Sequence, residues 1–302
     1  MKLKPINEQV AAVVGASSGI GRETALQFAA RGAKVVVSAR SESGLNSLVD
    51  EISQQGGDVS AVPADVTVFD QVKAIADYTV EQYGRLDSWV YLAAVALYAT
   101  FEQTTAEEFK RIIDVNLMGQ VYGAMAALPH LKREGRGALI HISSLEARRS
   151  LPFHSAYAAA KHGIDGFLEA LRLELLHEKL EISVTNVMPA SINTPLFDKA
   201  RTKLGVKPMG MPPIYQPHLV AEAILRAAEH PTRDVVVGGA GKMMLLGQRL
   251  SPHLMDTYML ATGFKSQRTH ESKSEDAPDN LFAPIPGFDR VEGDLYRSSE
   301  VE

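Results

Sequence analysis

Val13-Val14-Gly15-Ala16-Ser17-Ser18-Gly19-Ile20-Gly21-Arg22 decides the fold, because it joins a short apolar run to a helical pattern that opens at Glu23. Three glycines at such a junction match the turn that cradles a dinucleotide. Gly15 permits the tight turn out of a strand, Gly19 lets the backbone approach a pyrophosphate, and Gly21 lets the helix settle against the sheet. The helix N-terminus then offers unpaired N–H groups to an anion. A glycine trio alone also fits an ordinary strand-to-helix turn, so the reading depends on what lies downstream.

Downstream, short β-rich runs alternate with amphipathic helical stretches to about residue 240. Residues 11–14, 34–38, 59–63, 88–92, 138–143, 182–188 and 235–237 are the predicted strands. Strands separated by helices imply a parallel sheet, and their mostly continuous apolar character suits burial on both faces. Right-handed crossovers make a doubly wound, Rossmann-like α/β sheet the simplest topology, with a ligand beyond the carboxyl ends of the strands.

Composition narrows the function. Charged residues at 22% and hydrophobic ones at 45% suit a globular domain, and a formal net charge of -5 argues against nucleic acid as the main partner. There is no cysteine, hence no disulfide framework, thiol nucleophile or thiolate metal site. No apolar run reaches the roughly 18 to 20 residues that cross a bilayer, and the start lacks the apolar core of a secretory signal, so a cytoplasmic protein is expected.

No Pro/Gly/Ser linker divides the first 240 residues, and residues 1–264 read as one domain. Within it, residues 196–217 have poor helical periodicity and four prolines, and read as a long loop over the site. Leu245, Leu246, Leu250, Leu254, Met255, Tyr258 and Met259 form an apolar stripe interrupted at Ser251-Pro252, which predicts two short helices within 243–262. Residues 265–302 read as a polar, disordered tail carrying a short apolar arm at 281–288.

Asn116, Ser144, Tyr157 and Lys161 complete the pattern, the last two as Tyr157-Ala158-Ala159-Ala160-Lys161. From about residue 8 to residue 240 the chain resembles the short-chain dehydrogenase/reductase family. That family carries a glycine-rich turn, an Asp after the third strand, an Asn on the fourth helix, a Ser after the fifth strand and Tyr-x-x-x-Lys on the next helix. Residues four apart share a helix face, so the Lys161 ammonium is expected near the Tyr157 phenol, lowering a pKa that is ordinarily about 10. The resemblance implies that Tyr157 passes a proton to or from a carbonyl or alcohol oxygen during hydride transfer, while Ser144 holds that oxygen. Lys161 would hold the nicotinamide ribose, and Asn116 would anchor a water leading from Lys161 to solvent.

The resemblance also implies the cofactor contacts Gly15, Ser17, Ser18, Gly19, Ile20, Gly21, Arg40, Asp65, Val66, Ala93, Tyr157, Lys161, Pro189, Ile192 and Thr194. Ala39-Arg40 ends the second strand with a cationic fork where an acidic residue would select the unphosphorylated ribose, which favours NADP(H) over NAD(H). Arg22 offers a second positive charge. Asp65 fits either a contact to adenine or a helix cap. Two departures stand out: Tyr91-Leu92-Ala93-Ala94 replaces the family's Asn-Asn-Ala-Gly, and Pro189-Ala190 replaces its Pro-Gly.

Glu146 and His154 flank the catalytic set and are the candidate substrate contacts. The histidines show no metal-ligand spacing. The expected reaction is hydride transfer between nicotinamide and a ketone, aldehyde or secondary alcohol of mainly apolar character. The alternative is a cofactor-binding regulatory or scaffold protein. A further alternative makes the paired helices near 245–260 a membrane-surface anchor, although their polar face is weakly basic. Apolar helix faces at 109–131 and 157–176 imply a homodimer or homotetramer, with the 281–288 arm placed across a neighbouring subunit.

Overall fold

The computed structural model describes residues 2–295. Its strands are β1 (Val10–Val14), β2 (Lys34–Ala39), β3 (Asp58–Pro63), β4 (Ser88–Tyr91), β5 (Leu97–Tyr98), β6 (Arg136–Ile142), β7 (Glu181–Pro189), β8 (Arg201–Thr202), β9 (Val206–Pro208), β10 (Asp234–Val237) and β11 (Arg268–Ser272). The helices are α1 (Gly19–Ala30), α2 (Glu42–Gln54), α3 (Phe69–Tyr83), α4 (Ala106–Ile113), α5 (Gly119–Glu134), α6 (Ser155–His177), α7 (Leu196–Lys199), α8 (Pro217–Glu229), α9 (Gly239–Leu250) and α10 (Pro252–Thr262). A π-helical turn, Asp114–Met118, joins α4 to α5.

Seven strands form one parallel sheet in the order β10-β7-β6-β4-β1-β2-β3. All seven expected strands are present, their ends within two residues of expectation. Strand order reverses between β1 and β4, which opens a crevice at the carboxyl end of β1, directly where the glycine turn leaves the sheet. Every residue of β1 is buried, because side chains on both faces meet helices. On one face Val13, Val35 and Val37 pack with Phe28, Leu45 and Ile224 of α1, α2 and α8. On the other, Val14, Val36 and Trp89 pack with Ile75, Leu131 and Ile164 of α3, α5 and α6. Each such side chain contributes about 1.5–3 kcal/mol when fully buried, so the two layers hold the crevice rigidly open.

Local chemistry sets the helix ends. Thr105 and Glu108 form a reciprocal capping box at α4. Ser251 accepts from Leu254 N at 3.3 Å and Pro252 opens α10, so the stripe is divided where the sequence divides it.

Two expectations need correction. Residues 196–217 are not a plain loop: they contain α7, β8 and β9. Here β8 pairs with β5, and β9 pairs with β11 of the tail. Nor does the arm leave its own chain. Arg111 Nε donates to Leu281 O (3.0 Å), and Arg40 donates to Asn280 O (2.8 Å) and Phe282 O (2.9 Å). Leu281 and Leu295 are fully buried in the chain's own cores. A polar composition signalled disorder, but arginines on the folded domain satisfy the segment's carbonyls, and two leucines anchor it. Among the described residues no helix is long and apolar enough to cross a membrane.

Candidate active site

A cavity of about 670 Å³ opens at the carboxyl ends of the strands. It runs from Arg40 and Val66, past the turn residues Gly15, Ser17, Ser18, Gly19, Ile20 and Gly21 and past Ala93, to Pro189, Ile192 and Thr194. Ser144, Glu146, His154, Tyr157 and Lys161 line its far end. One cavity therefore gathers most of the residues singled out from sequence.

The glycines behave as their positions require. Gly15 has φ +91°, and a Cβ there would lie 2.4 Å from Ala93 N. A Cβ on Gly21 would lie 2.1 Å from Gly15 O, so only glycine lets α1 approach this closely. Ser18 makes no side-chain cap, which leaves the first turn of α1 without the usual internal partner for its N–H groups.

Ser144 follows β6, and its Oγ accepts from Glu146 N at 3.1 Å across the 3-10 turn Leu145–Ala147. Tyr157 and Lys161 stand one turn apart on α6, with Lys161 Nζ 5.2 Å from the Tyr157 ring centre. Nζ donates to Ile142 O at 2.9 Å. The expected lowering of the Tyr157 pKa is reversed. Burial and the Glu146 carboxylate hold the phenol above its ordinary value, against a hydrogen bond with Ser144 that pulls it down. Burial also drops Lys161 to about 7, opposed by Glu146 and Asp165, so near neutrality this neighbour carries only part of a charge.

Three further residues sit differently from expectation. Asn116 lies in the π turn, and its amide is clamped to Val95, Oδ1 accepting from Val95 N and Nδ2 donating to Val95 O, each at 2.9 Å. Any link from Asn116 to Lys161 therefore runs through the backbone. Asp65 is not part of the cavity wall: its carboxylate accepts from Thr67 N and Oγ1 and from Arg111. Arg22 points away as well, bonding Ser47 and Glu51 to pin α1 against α2.

The Tyr91 departure is a packing solution. The Tyr91 ring is buried and its hydroxyl donates to Val115 O at 2.9 Å. Gly119 and Gly123 leave the room, since a Cβ on Gly119 would lie 2.1 Å from Tyr91 Oη.

Sequence reasoning missed Lys199, and it missed that the tail lies over the cavity of its own chain. Lys199 lines the cavity and donates from Nζ to Ser18 Oγ at 2.7 Å. Burial lowers its pKa to about 8, opposed by Asp289 and reinforced by Arg40. Pro284, Ile285, Phe288 and Asp289 of the tail roof the same space, and Gly19 N donates to Arg290 O at 2.9 Å. The only sequence signal for Lys199 was its place five residues after Thr194; the tail's signal was the apolar arm at 281–288, which the sequence reading placed across a neighbouring subunit.

Residues 9–205 match the short chain dehydrogenase family. The chain belongs to that family. It is 41% identical over 269 residues to an uncharacterized oxidoreductase, YxnA, of Bacillus subtilis, covering 88% of this chain and 76% of that protein. It is 31% identical over 278 residues to dehydrogenase/reductase SDR family member 7B of Xenopus tropicalis, covering 88% and 89%. Among solved structures, the alcohol dehydrogenase of the archaeon Thermococcus sibiricus, complexed with 5-hydroxy-NADP, superposes with a TM-score of 0.67 at 25% identity, covering 76% of this chain and 95% of that one. This short-chain dehydrogenase is thus an NAD(P)-dependent oxidoreductase with a Rossmann-like fold. The cavity suits a dinucleotide: a helix N-terminus without a side-chain cap and two cationic side chains, Arg40 and Lys199, border one long space whose turn has no room for a Cβ at Gly15 or Gly21. Among the described residues no cluster of His, Asp and Glu is arranged to hold a metal ion.

Proposed function

We propose that this dehydrogenase is an NADP(H)-dependent carbonyl reductase or secondary-alcohol dehydrogenase in which Tyr157 is the general acid and base. The observation that carries this reading is the meeting of Ser144, Tyr157 and Lys161 at one end of the cavity whose other end is the glycine turn. Bound in that cavity, a nicotinamide dinucleotide supplies or accepts the hydride. Ser144 and Tyr157 hydrogen-bond the substrate oxygen, and Tyr157 gives up its proton as negative charge develops there. A phenol held above its ordinary pKa is protonated near neutrality, the form that can donate to a carbonyl oxygen.

Lys161 would hold the nicotinamide ribose and return a proton to Tyr157; a pKa of about 7 lets it exchange protons readily. Thr194, Pro189 and Ile192 would seat the nicotinamide, with Ala93 against the ribose. The first turn of α1 and Lys199 would hold the pyrophosphate. Arg40, whose guanidinium also braces the tail, would meet the 2′-phosphate and give the preference for NADP(H). The 5-hydroxy-NADP complex of the Thermococcus sibiricus enzyme supports that preference. The test is oxidation of NADPH, followed at 340 nm, with a panel of ketones and aldehydes. Turnover lost in Tyr157→Phe with NADPH binding retained is the expected result; no turnover with any carbonyl overturns the reading.

A further inference from the structure

The substrate end of the cavity contains a buried polar pair that hydride transfer alone leaves unused. Glu146 leaves the turn after β6, and His154 sits just ahead of α6, one helical turn before Tyr157. His154 Nδ1 lies 2.8 Å from Glu146 Oε1, with the side chains 7% and 10% exposed. Their remaining polar atoms, Glu146 Oε2 and His154 Nε2, are buried without a protein partner. Both residues line the cavity. Leaving such atoms unpaired is costly, and a ligand supplying the missing hydrogen bonds removes that cost.

The surroundings narrow what that ligand is. Tyr98 meets the His154 ring edge-on at 4.2 Å between centres, closing one side. Leu151, Met211, Met244, Met255 and Tyr258 make the nearby cavity wall predominantly apolar. With Nδ1–H donated to the carboxylate, Nε2 presents a lone pair and Oε2 another, so the pair asks for a hydrogen-bond donor. A hydroxyl answers this, because its O–H donates to Oε2 or to the Nε2 lone pair. The His154 and Tyr157 ring centres are 5.7 Å apart, and Ser144 Oγ touches the Glu146 backbone. The pair therefore stands beside the acid that a substrate carbonyl would meet, and the Glu146 carboxylate acts on the Tyr157 phenol.

The structure assigns Glu146 and His154 as a recognition site for a hydroxyl carried next to the reacting carbonyl, making the preferred substrate class apolar α-hydroxy ketones or, in reverse, the matching vicinal diols. This rests on the carbonyl-reductase reading and specifies its substrate.

The test compares 2-hydroxyacetophenone, 2-methoxyacetophenone and acetophenone as substrates of the full chain with NADPH. The methoxy compound keeps the oxygen and its inductive pull but has no proton to donate. A site built to bond a hydroxyl discriminates strongly against analogues lacking it, so kcat/KM for the hydroxy over the methoxy compound should be about 10- to 100-fold in the wild type. In Glu146→Leu and in His154→Phe the ratio should fall to within about threefold, for the same reason. Each ratio is internal to one protein, so partial unfolding of a variant does not alter it. A wild-type ratio near one overturns the assignment even if neither variant folds, and so does a high ratio that survives both substitutions. Reduction of all three ketones without discrimination defeats the hydroxyl site alone. Failure to oxidise NADPH with these or any other carbonyl defeats the reductase reading, and the hydroxyl site falls with it.

Discussion

At the scale of single residues, burial and one carboxylate set the state of one phenol. Tyr157→Phe should lower kcat by about 100- to 10,000-fold, the usual contribution of a positioned acid, while quenching of protein fluorescence shows NADPH binding nearly unchanged. A variant keeping more than a tenth of the wild-type rate would show that Tyr157 is not the acid. Because burial and Glu146 hold the Tyr157 pKa high, the protonated form persists as pH rises. Tyr157 itself should therefore not limit reduction in the alkaline range, any decline above about pH 7 following loss of the Lys161 proton, whereas alcohol oxidation, which needs the proton removed, should climb with pH. Glu146→Gln removes the negative neighbour, lowers the phenol pKa and should move the oxidation limb to lower pH; a limb that does not move would show that the carboxylate does not act on Tyr157. The two cavity cations separate by cofactor. Arg40→Asp should harm NADPH far more than NADH, by removing a phosphate partner and adding repulsion. Lys199→Ala should weaken both about equally, since a pyrophosphate is common to the two; kcat/KM with each cofactor reads the difference.

At the scale of elements, the segment between β7 and α8 is fastened rather than loose. Glu108 of α4 is buried, and it accepts from Arg201 at 3.1 Å and from Lys203 at 2.8 Å, both on that segment. Burial opposes ionisation of Glu108, but the hydrogen bonds of Lys203, Thr105 and Arg201 outweigh it and hold the pKa below the usual carboxylate value. A depressed folded-state pKa contributes stability that is present above the unfolded value of about 4.3 and is lost as pH falls through the folded one. Glu108→Gln should thus cost about 3 kcal/mol at neutral pH, as breaking one side of a buried ion pair does. The loss, read by urea unfolding, should begin to shrink as pH falls through about 4.3 and vanish only below the lowered folded-state pKa, where the wild-type carboxylate is itself protonated; a cost equal at all pH values would argue for packing instead. None of this fastening was legible in the sequence, because Glu108 and Arg201 are far apart in the chain and neither belongs to a motif. The sheet was legible, since strands buried on both faces must be apolar along their length, as β1 is. The Ser251-Pro252 helix boundary was legible for a local reason, a side-chain cap followed by a residue without an N–H. Ser144, Tyr157 and Lys161 could be read because their spacing is fixed by one turn and one helix face. The environment that tunes them could not, since the Tyr157 pKa depends on Glu146 and on burial, which no spacing records.

At the scale of the molecule, two surfaces bear on assembly and cofactor retention. Met125 of α5 and Leu173 and Leu176 of α6 are more than half exposed, a cost that a two-fold contact through these helices removes. Leu173→Glu should shift the mass in sedimentation toward the monomer, and an unchanged mass would place any interface elsewhere. The tail acts within one chain. It runs along the glycine-turn side of the cavity, held at Arg40 and Arg111, meeting the turn at Arg290 O, and reaching Asn193 through Leu295 N at 3.3 Å. A cofactor bound beneath the tail would have to displace Arg290 O from Gly19 N to reach the first turn of α1, yet would leave only when the Arg111 and Leu295 contacts open, so the tail should slow release and raise affinity. A chain ending at Pro278 loses the burial of Leu281 and Leu295, about 1.5–3 kcal/mol each, and should unfold at lower temperature while keeping the sheet. Its Kd for NADPH should rise roughly tenfold or more, which corresponds to about 1.4 kcal/mol of lost closure, with most of the change in the dissociation rate. Stopped-flow release of NADPH reads this directly. If release from the shortened chain is no faster than from the full chain, the tail covers the domain without holding the cofactor.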